Sequence, residues 1–68
     1  MSTKAQKKKA AERVQRQART TYLESHAKLT AALSLEPDNP KRPELLGDAE
    51  SLAKSAKDLS TYAAEMVK

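Results

Sequence analysis

The stretch that decides the fold is Glu36-Pro37-Asp38-Asn39-Pro40-Lys41-Arg42-Pro43, near the middle of a 68-residue chain. It contains all three prolines of the sequence. Proline lacks the backbone N–H that a helix interior needs, and it disfavours helical geometry in the residue before it. We therefore predict a proline-rich turn at residues 36–43 that separates two elements.

The segments on either side of this turn are rich in Ala, Leu, Lys, Glu and Gln and poor in β-branched residues. This composition favours helices over strands. The sequence predicts one helix from about Thr3 to Leu35 and a second from about Pro43 to Val67.

The start of the second helix has two interpretations. Pro43 suits the first helical position and puts Glu44 in a favoured acidic first turn, whereas Asp38 or Asn39 would cap an earlier start. Gly47 lowers helix propensity. It marks either a close approach between helices or a start as late as residue 48.

Each predicted helix carries an apolar stripe. The second helix has a strict heptad repeat in which large and small side chains alternate: Leu45, Ala49, Leu52, Ala56, Leu59, Ala63 and Met66. The first helix has a less regular stripe: Ala11, Val14, Ala18, Tyr22, Ser25, Leu29 and Leu33. We predict that the stripes meet as the seam of an all-α, two-helix antiparallel hairpin. The alternative is that the second stripe pairs with its own copy in another chain.

The register of this hairpin follows from the sizes of the side chains. If paired positions have residue numbers that add up to about 77 or 78, Leu29 meets Ala49, Ser25 meets Leu52 and Ala18 meets Leu59. Large side chains then mostly face small ones, as close packing requires.

Such a small chain has little core. It has no cysteine for a disulfide and only two aromatic residues, Tyr22 and Tyr62. A second apolar set remains outside the seam and predicts a homodimer or partner face: Leu23, Ala27, Ala31, Leu46, Ala53, Ala64 and Val67. Two hairpins would form a four-helix bundle. In topology this resembles the Rop class of bundle, dimers of helical hairpins with core layers of small and large residues.

The positive charge is concentrated at the beginning of the chain. Residues 1–20 hold seven basic and one acidic side chain (+6), and the remainder holds six basic and eight acidic (−2), which gives the total of +4. We predict a basic arm at residues 1–10, helical or disordered, followed by the hairpin at residues 11–68. The candidate contacts to nucleic acid or an acidic surface are Lys4, Lys7, Lys8, Lys9, Arg13, Arg16 and Arg19. Residues 5–13 resemble the arginine-rich RNA-binding peptides of phage antitermination proteins, with Lys in place of Arg.

No catalytic, metal or cofactor site is predicted. Ser25 and His26 are adjacent in a helix and do not face each other, so they are not a nucleophile and its base. A single histidine without cysteines does not make a zinc site, and one glycine does not make a phosphate-binding loop.

The sequence therefore predicts a non-catalytic chain, cytoplasmic and without a membrane span. We expect a small regulatory or adaptor protein, of the size and shape found in phage and bacterial regulators, that binds a larger protein and dimerises. The alternatives are a nucleic-acid-binding dimer that uses the basic arm and a structural subunit that assembles through its coiled-coil seams.

Overall fold

The computed structural model describes residues 3–68 and contains two α-helices, α1 (Lys4–Leu33) and α2 (Lys41–Met66). The helices pack against each other as a rod of 55 × 13 × 13 Å. Cross-helix hydrogen bonds join the last third of α1 to the first half of α2 and the first half of α1 to the last third of α2, so the helices run antiparallel. The predicted all-α hairpin is confirmed.

A capping box begins α1. Thr3 Oγ1 accepts a hydrogen bond from the backbone N–H of Gln6 at 3.1 Å, and the Thr3 N–H donates to Gln6 Oε1 at 3.0 Å. Each bond satisfies a backbone donor that the start of a helix leaves without an intrahelical partner. Residues 4–10 of the predicted basic arm are therefore the first turns of α1, and Met1 and Ser2 lie outside the described residues.

The turn ends earlier than a start at Pro43 requires. Asn39 Oδ1 accepts a hydrogen bond from the Lys41 N–H at 2.9 Å, and the Asn39 carbonyl accepts one from the Arg42 N–H at 3.0 Å. The predicted start at Pro43 is wrong and the alternative of an earlier start is right, but the N-cap is Pro40, which has no side-chain capping hydrogen bond, and neither Asp38 nor Asn39 is the cap. Pro43 is the third residue of α2, where a missing N–H costs nothing because the first turn has no intrahelical acceptor for it.

Gly47 lies inside α2, and a Cβ built there meets no atom within 4 Å. Neither interpretation of this residue is correct, because α2 begins six residues before Gly47 and no group among the described residues approaches the glycine.

We expect Gly47→Ala to raise the free energy of unfolding by about 1 kcal/mol, since alanine loses less backbone entropy in a helix. For a domain of this size the melting temperature should rise by roughly 4–8 °C. Thermal unfolding followed by circular dichroism measures the change. A lower melting temperature would show that Gly47 approaches another surface in solution.

Small side chains form the seam between the helices. The buried residues lie at intervals of seven, with Ala11, Ala18, Ser25 and Ala32 on α1 and Ala49, Ala56 and Ala63 on α2. We call these seven residues the alanine seam. Because their side chains are short, the two backbones approach closely, and the leucines stand beside the contact.

Two hydrogen bonds fix the register of the hairpin. Ser25 Oγ donates to the backbone carbonyl of Ala49 at 2.7 Å, and Ser60 Oγ donates to Gln15 Oε1 at 3.3 Å. Their residue numbers add up to 74 and 75. The predicted sum of 77 or 78, which paired Ser25 with Leu52, is wrong by nearly one helical turn. The structure places small residues opposite small ones. The helices therefore fit together because their backbones lie close to each other, and not because large side chains fill the space beside small ones.

The seam predicted for α2 holds, with its alanines buried and its large residues half-buried, but the seam of α1 needs a correction. Val14 is half-buried and Ala18 buried as expected, whereas Tyr22 and Leu33 are 60% and 61% exposed and Leu29 is at 39%. The predicted stripe on α1 consists mainly of large apolar residues, and its spacings follow an 11-residue repeat. An 11-residue repeat gives a supercoil of the opposite hand to that of a heptad repeat. The heptad of α2 instead requires a heptad on α1.

Among the described residues, no large side chain is fully buried. The large members of the α2 stripe, and Val14 and Leu35 of the other half, are only half-buried. A two-helix hairpin has no third element to cover them, which leaves apolar surface on both sides of the alanine seam.

Candidate protein-binding surface

The alanine seam divides the hairpin surface into two faces. Successive residues of a helix are about 100° apart, so a residue three before or four after a seam residue flanks the seam on one side. Tyr22 and Leu29 stand in this relation to the seam on α1, and Leu46, Ala53 and Val67 stand in it on α2. Tyr22 and Ala53 line the same hollow, so these sets lie on one side of the hairpin.

We call this side the tyrosine face; its apolar members are Tyr22, Leu29, Leu33, Leu46, Ala53, Ala64 and Val67. The described residues include seven exposed large apolar side chains, of which five belong to this face: Tyr22, Leu29, Leu33, Leu46 and Val67. Scattered exposed leucines are ordinary on protein surfaces, but a continuous patch indicates an interaction site.

Two hollows lie along the tyrosine face. The one at the end of the rod also crosses the seam, because its lining includes Lys7 and Met66 from the other side. The open-end hollow, at the end away from the turn, has a volume of about 750 Å³ and apolar walls from Ala11, Ala63, Ala64, Met66 and Val67. Four lysines surround these walls: Lys4, Lys7, Lys8 and Lys68.

The central hollow has a volume of about 550 Å³ and extends the same groove toward the turn. Its wall includes Tyr22, Ala53 and Ala56, with Arg19 and Lys57 beside them. Gln15 lines both hollows, and its hydrogen bond with Ser60 crosses the groove between them. Together the two hollows are lined by six basic side chains and by one acidic side chain, that of Glu12.

The opposite side of the seam is more apolar and less exposed. Its members flank the alanine seam at the other heptad position and are half-buried: Val14, Thr21, Leu35, Leu45, Leu52, Leu59 and Met66. We call it the leucine face. On the α1 side, this heptad series runs from Val14 through Thr21 and residue 28 to Leu35. Its one charged member in that range is Lys28.

The residues predicted to form one dimer or partner face do not lie together. Leu46, Ala53, Ala64 and Val67 belong to the tyrosine face, but Leu23 and Ala27 lie two positions from Ser25, on the back of α1. Ala31, one residue before Ala32, lies toward the leucine face. The α1 part of the predicted face is therefore corrected. The residues of α1 that lie on the same side as the predicted α2 residues are Tyr22, Leu29 and Leu33.

The predicted basic contacts divide into two groups. Lys4, Lys7 and Lys8 line the open-end hollow, and Arg19 lines the central hollow. Lys9, Arg13 and Arg16 each lie two positions from a seam residue, on the exposed back of α1. The last turn of α2 reaches Lys7 and Lys8, so the helix extends beyond the hairpin by less than the predicted ten residues.

Within residues 3–68, the single ion pair joins Lys68 and Glu65 at 3.0 Å. The lysines of α1 and the arginines of the back of α1 therefore have no intramolecular partner in that range. His26 is exposed, and no cluster of three or more His, Asp or Glu side chains in the described part is arranged to hold a metal ion. Neither described helix is long and apolar enough to cross a membrane.

The sequence contained a signal for the tyrosine face that size-based reasoning missed. Counting small residues at intervals of seven gives Ala11, Ala18, Ser25 and Ala32, the same repeat as Ala49, Ala56 and Ala63. Once these two series define the seam, Tyr22 and Leu29 fall beside it.

Comparisons with protein-family models, with curated proteins and with solved structures gave no match for this chain. The functional argument therefore depends on its surface.

Proposed function

We propose that this chain is a small non-catalytic adaptor that acts by binding another protein through its tyrosine face. The observation that carries the proposal is the alignment of five of the seven exposed large apolar side chains along this one face. Exposed apolar side chains gathered on one side of two helices gain free energy when a protein partner covers them. Tyrosine is also enriched in the energetic centres of protein interfaces.

The experiment is capture from a lysate with the full chain, with and without nuclease. A partner that supports the proposal is a protein that resists nuclease and depends on the tyrosine face. Capture that persists when this face carries a charge would contradict it, and the paired variants that decide this are described in the Discussion.

We further propose that the chain self-associates through the leucine face into a four-helix bundle. Between Val14 and Leu35 the leucine face carries one charged heptad position, Lys28, and a second copy would complete the burial of its half-buried side chains. The tyrosine face would then remain available on each hairpin.

Sedimentation equilibrium at micromolar concentration should give twice the chain mass of 7.5 kDa. The unfolding midpoint should rise with protein concentration, because association stabilises the folded state by mass action. A folded species of 7.5 kDa with a concentration-independent midpoint would contradict the dimer while leaving the tyrosine face as a binding surface.

Nucleic-acid binding is the second candidate function, and one observation favours it. Lys9, Arg13 and Arg16 form an exposed basic group on the back of α1 without an ion pair in the described range. Such a group suits phosphate contacts whose affinity falls steeply with salt. Retention that disappears after nuclease treatment, or when these three residues lose their charge, would favour this function over the adaptor.

A further inference from the structure

We propose that the groove of the tyrosine face binds an acidic amphipathic α-helix of the partner, with the acidic residues of that helix at the open end of the hairpin. This inference rests on the proposed function, because it specifies the chemistry of the protein partner. It follows from the charge, the lining and the shape of the two hollows.

The charge of the groove selects an acidic partner. Its two hollows are lined by six basic side chains and by Glu12 as the single acidic one, although the chain from residue 21 onward is acidic overall. Four of the six, Lys4, Lys7, Lys8 and Lys68, surround the open-end hollow. Complementary charge across an interface favours the correct partner and orients it.

The lining of the groove requires an apolar stripe on the same partner. Ala11, Ala63, Ala64, Met66 and Val67 form the apolar wall of the open-end hollow, and Tyr22, Ala53 and Ala56 continue it. Toward the turn, the same face continues with the exposed side chains of Leu29, Leu33 and Leu46. A bound helix therefore places apolar residues along its whole length and most of its acidic residues beside the open end, where four of the six lining cations lie.

The shape of the groove favours a helix over other ligands. The groove runs between two antiparallel helices that pack side by side, and an amphipathic helix places residues at i, i+3, i+4 and i+7 into such a groove. Nucleic acid would gain little at the open end, because the hollow there is lined by lysines and alanines without an aromatic side chain or an arginine. The aromatic side chain and the arginine that line the groove, Tyr22 and Arg19, lie in the central hollow. A bilayer surface is also a poor fit, because its binding uses a protruding apolar face rather than a hollow with alanine walls.

The test uses the full chain and two labelled synthetic helical peptides that share one leucine stripe. The first carries Glu beside the stripe at one end, and the second carries Lys at the same positions. Fluorescence anisotropy should show saturable binding of the Glu peptide and at least about tenfold weaker binding of the Lys peptide, since several exposed charge pairs contribute in one case and oppose in the other.

Two matched variants of the chain locate the contact. The groove variant combines Lys4→Glu, Lys7→Glu and Lys8→Glu, and the control combines Lys9→Glu, Arg13→Glu and Arg16→Glu on the back of α1. Both change the net charge equally. The groove variant should weaken binding of the Glu peptide at least about tenfold, and the control less than about threefold.

Weaker peptide binding by the groove variant should not result from unfolding of the hairpin. The first turn of α1 contains no acidic residue, and acidic residues near a helix N-terminus stabilise the helix, so the groove variant should keep its helical circular dichroism. The inference is overturned by the absence of saturable binding below about 1 mM, by equal binding of the two peptides, or by equal losses in the two variants. Preferential binding of the wild-type chain to labelled RNA or to anionic vesicles through Lys4, Lys7 and Lys8 also overturns it.

This failure is distinguishable from failure of the proposed function. If protein capture from the lysate still requires the tyrosine face, the adaptor function stands with a partner of different chemistry. If capture does not require that face, both proposals fail.

Discussion

Replacing Ala18 by leucine should unfold or separate the hairpin at temperatures where the wild-type chain is folded. Ala18 is 5% exposed and lies in the alanine seam, and the register of the two cross-helix hydrogen bonds places it opposite Ala56. Added methylenes at a packed position cost about 1–3 kcal/mol through displaced side chains and backbone. Because no large side chain within residues 3–68 is fully buried, this loss is a large part of the total stability.

The matched control is Ala27→Leu, which makes the same chemical change on the back of the same helix. Thermal unfolding by circular dichroism should show a melting temperature lower by roughly 4–8 °C per kcal/mol for Ala18→Leu and almost no change for Ala27→Leu. Equal melting temperatures for the two variants would mean that the helices do not approach through their alanines.

Charging the tyrosine face should abolish capture of the partner protein. Leu33 on this face and Leu23 on the back of α1 are the same residue type on the same helix, 61% and 58% exposed. Leu33→Glu places a charge where a partner would cover apolar surface, which removes the hydrophobic contribution and buries an unpaired carboxylate. Leu23→Glu places the same charge where it stays in water.

We expect Leu33→Glu to weaken partner binding at least about tenfold and Leu23→Glu less than about twofold, since a buried interface side chain contributes about 1.5–3 kcal/mol. Quantitative capture from nuclease-treated lysate, or titration with the purified partner, gives this ratio. Both side chains are exposed, so neither change should alter the helical content. Equal weakening by both variants would remove the tyrosine face from the proposal.

Local chemistry determined most of the fold. Pro37 and Pro40 lie in the turn that ends the first helical segment, and the Thr3–Gln6 pair begins α1 through a capping box that involves only neighbours in sequence. The heptad of α2 also follows from sequence, since its periodicity needs no knowledge of what it packs against. These features depend on residues within a few positions of one another.

The sequence predicted less of the candidate site, because the faces of the hairpin depend on which stripe of α1 meets α2. Two different stripes can be drawn along α1. One contains the large residues Tyr22, Leu29 and Leu33, and the other contains the small residues Ser25 and Ala32. Burial of large apolar area favours the first stripe, and close approach of the backbones favours the second. The structure follows the second.

The sequence by itself therefore determined that this chain is two helices joined at a proline turn, with a strict apolar heptad on the second helix. Only the tertiary structure decided the register, through the Ser25–Ala49 hydrogen bond, and with it the exposure of the tyrosine face. The physical reason is that a helix forms from its own backbone bonds, whereas its rotation about its axis is set by the side chains of the helix it meets.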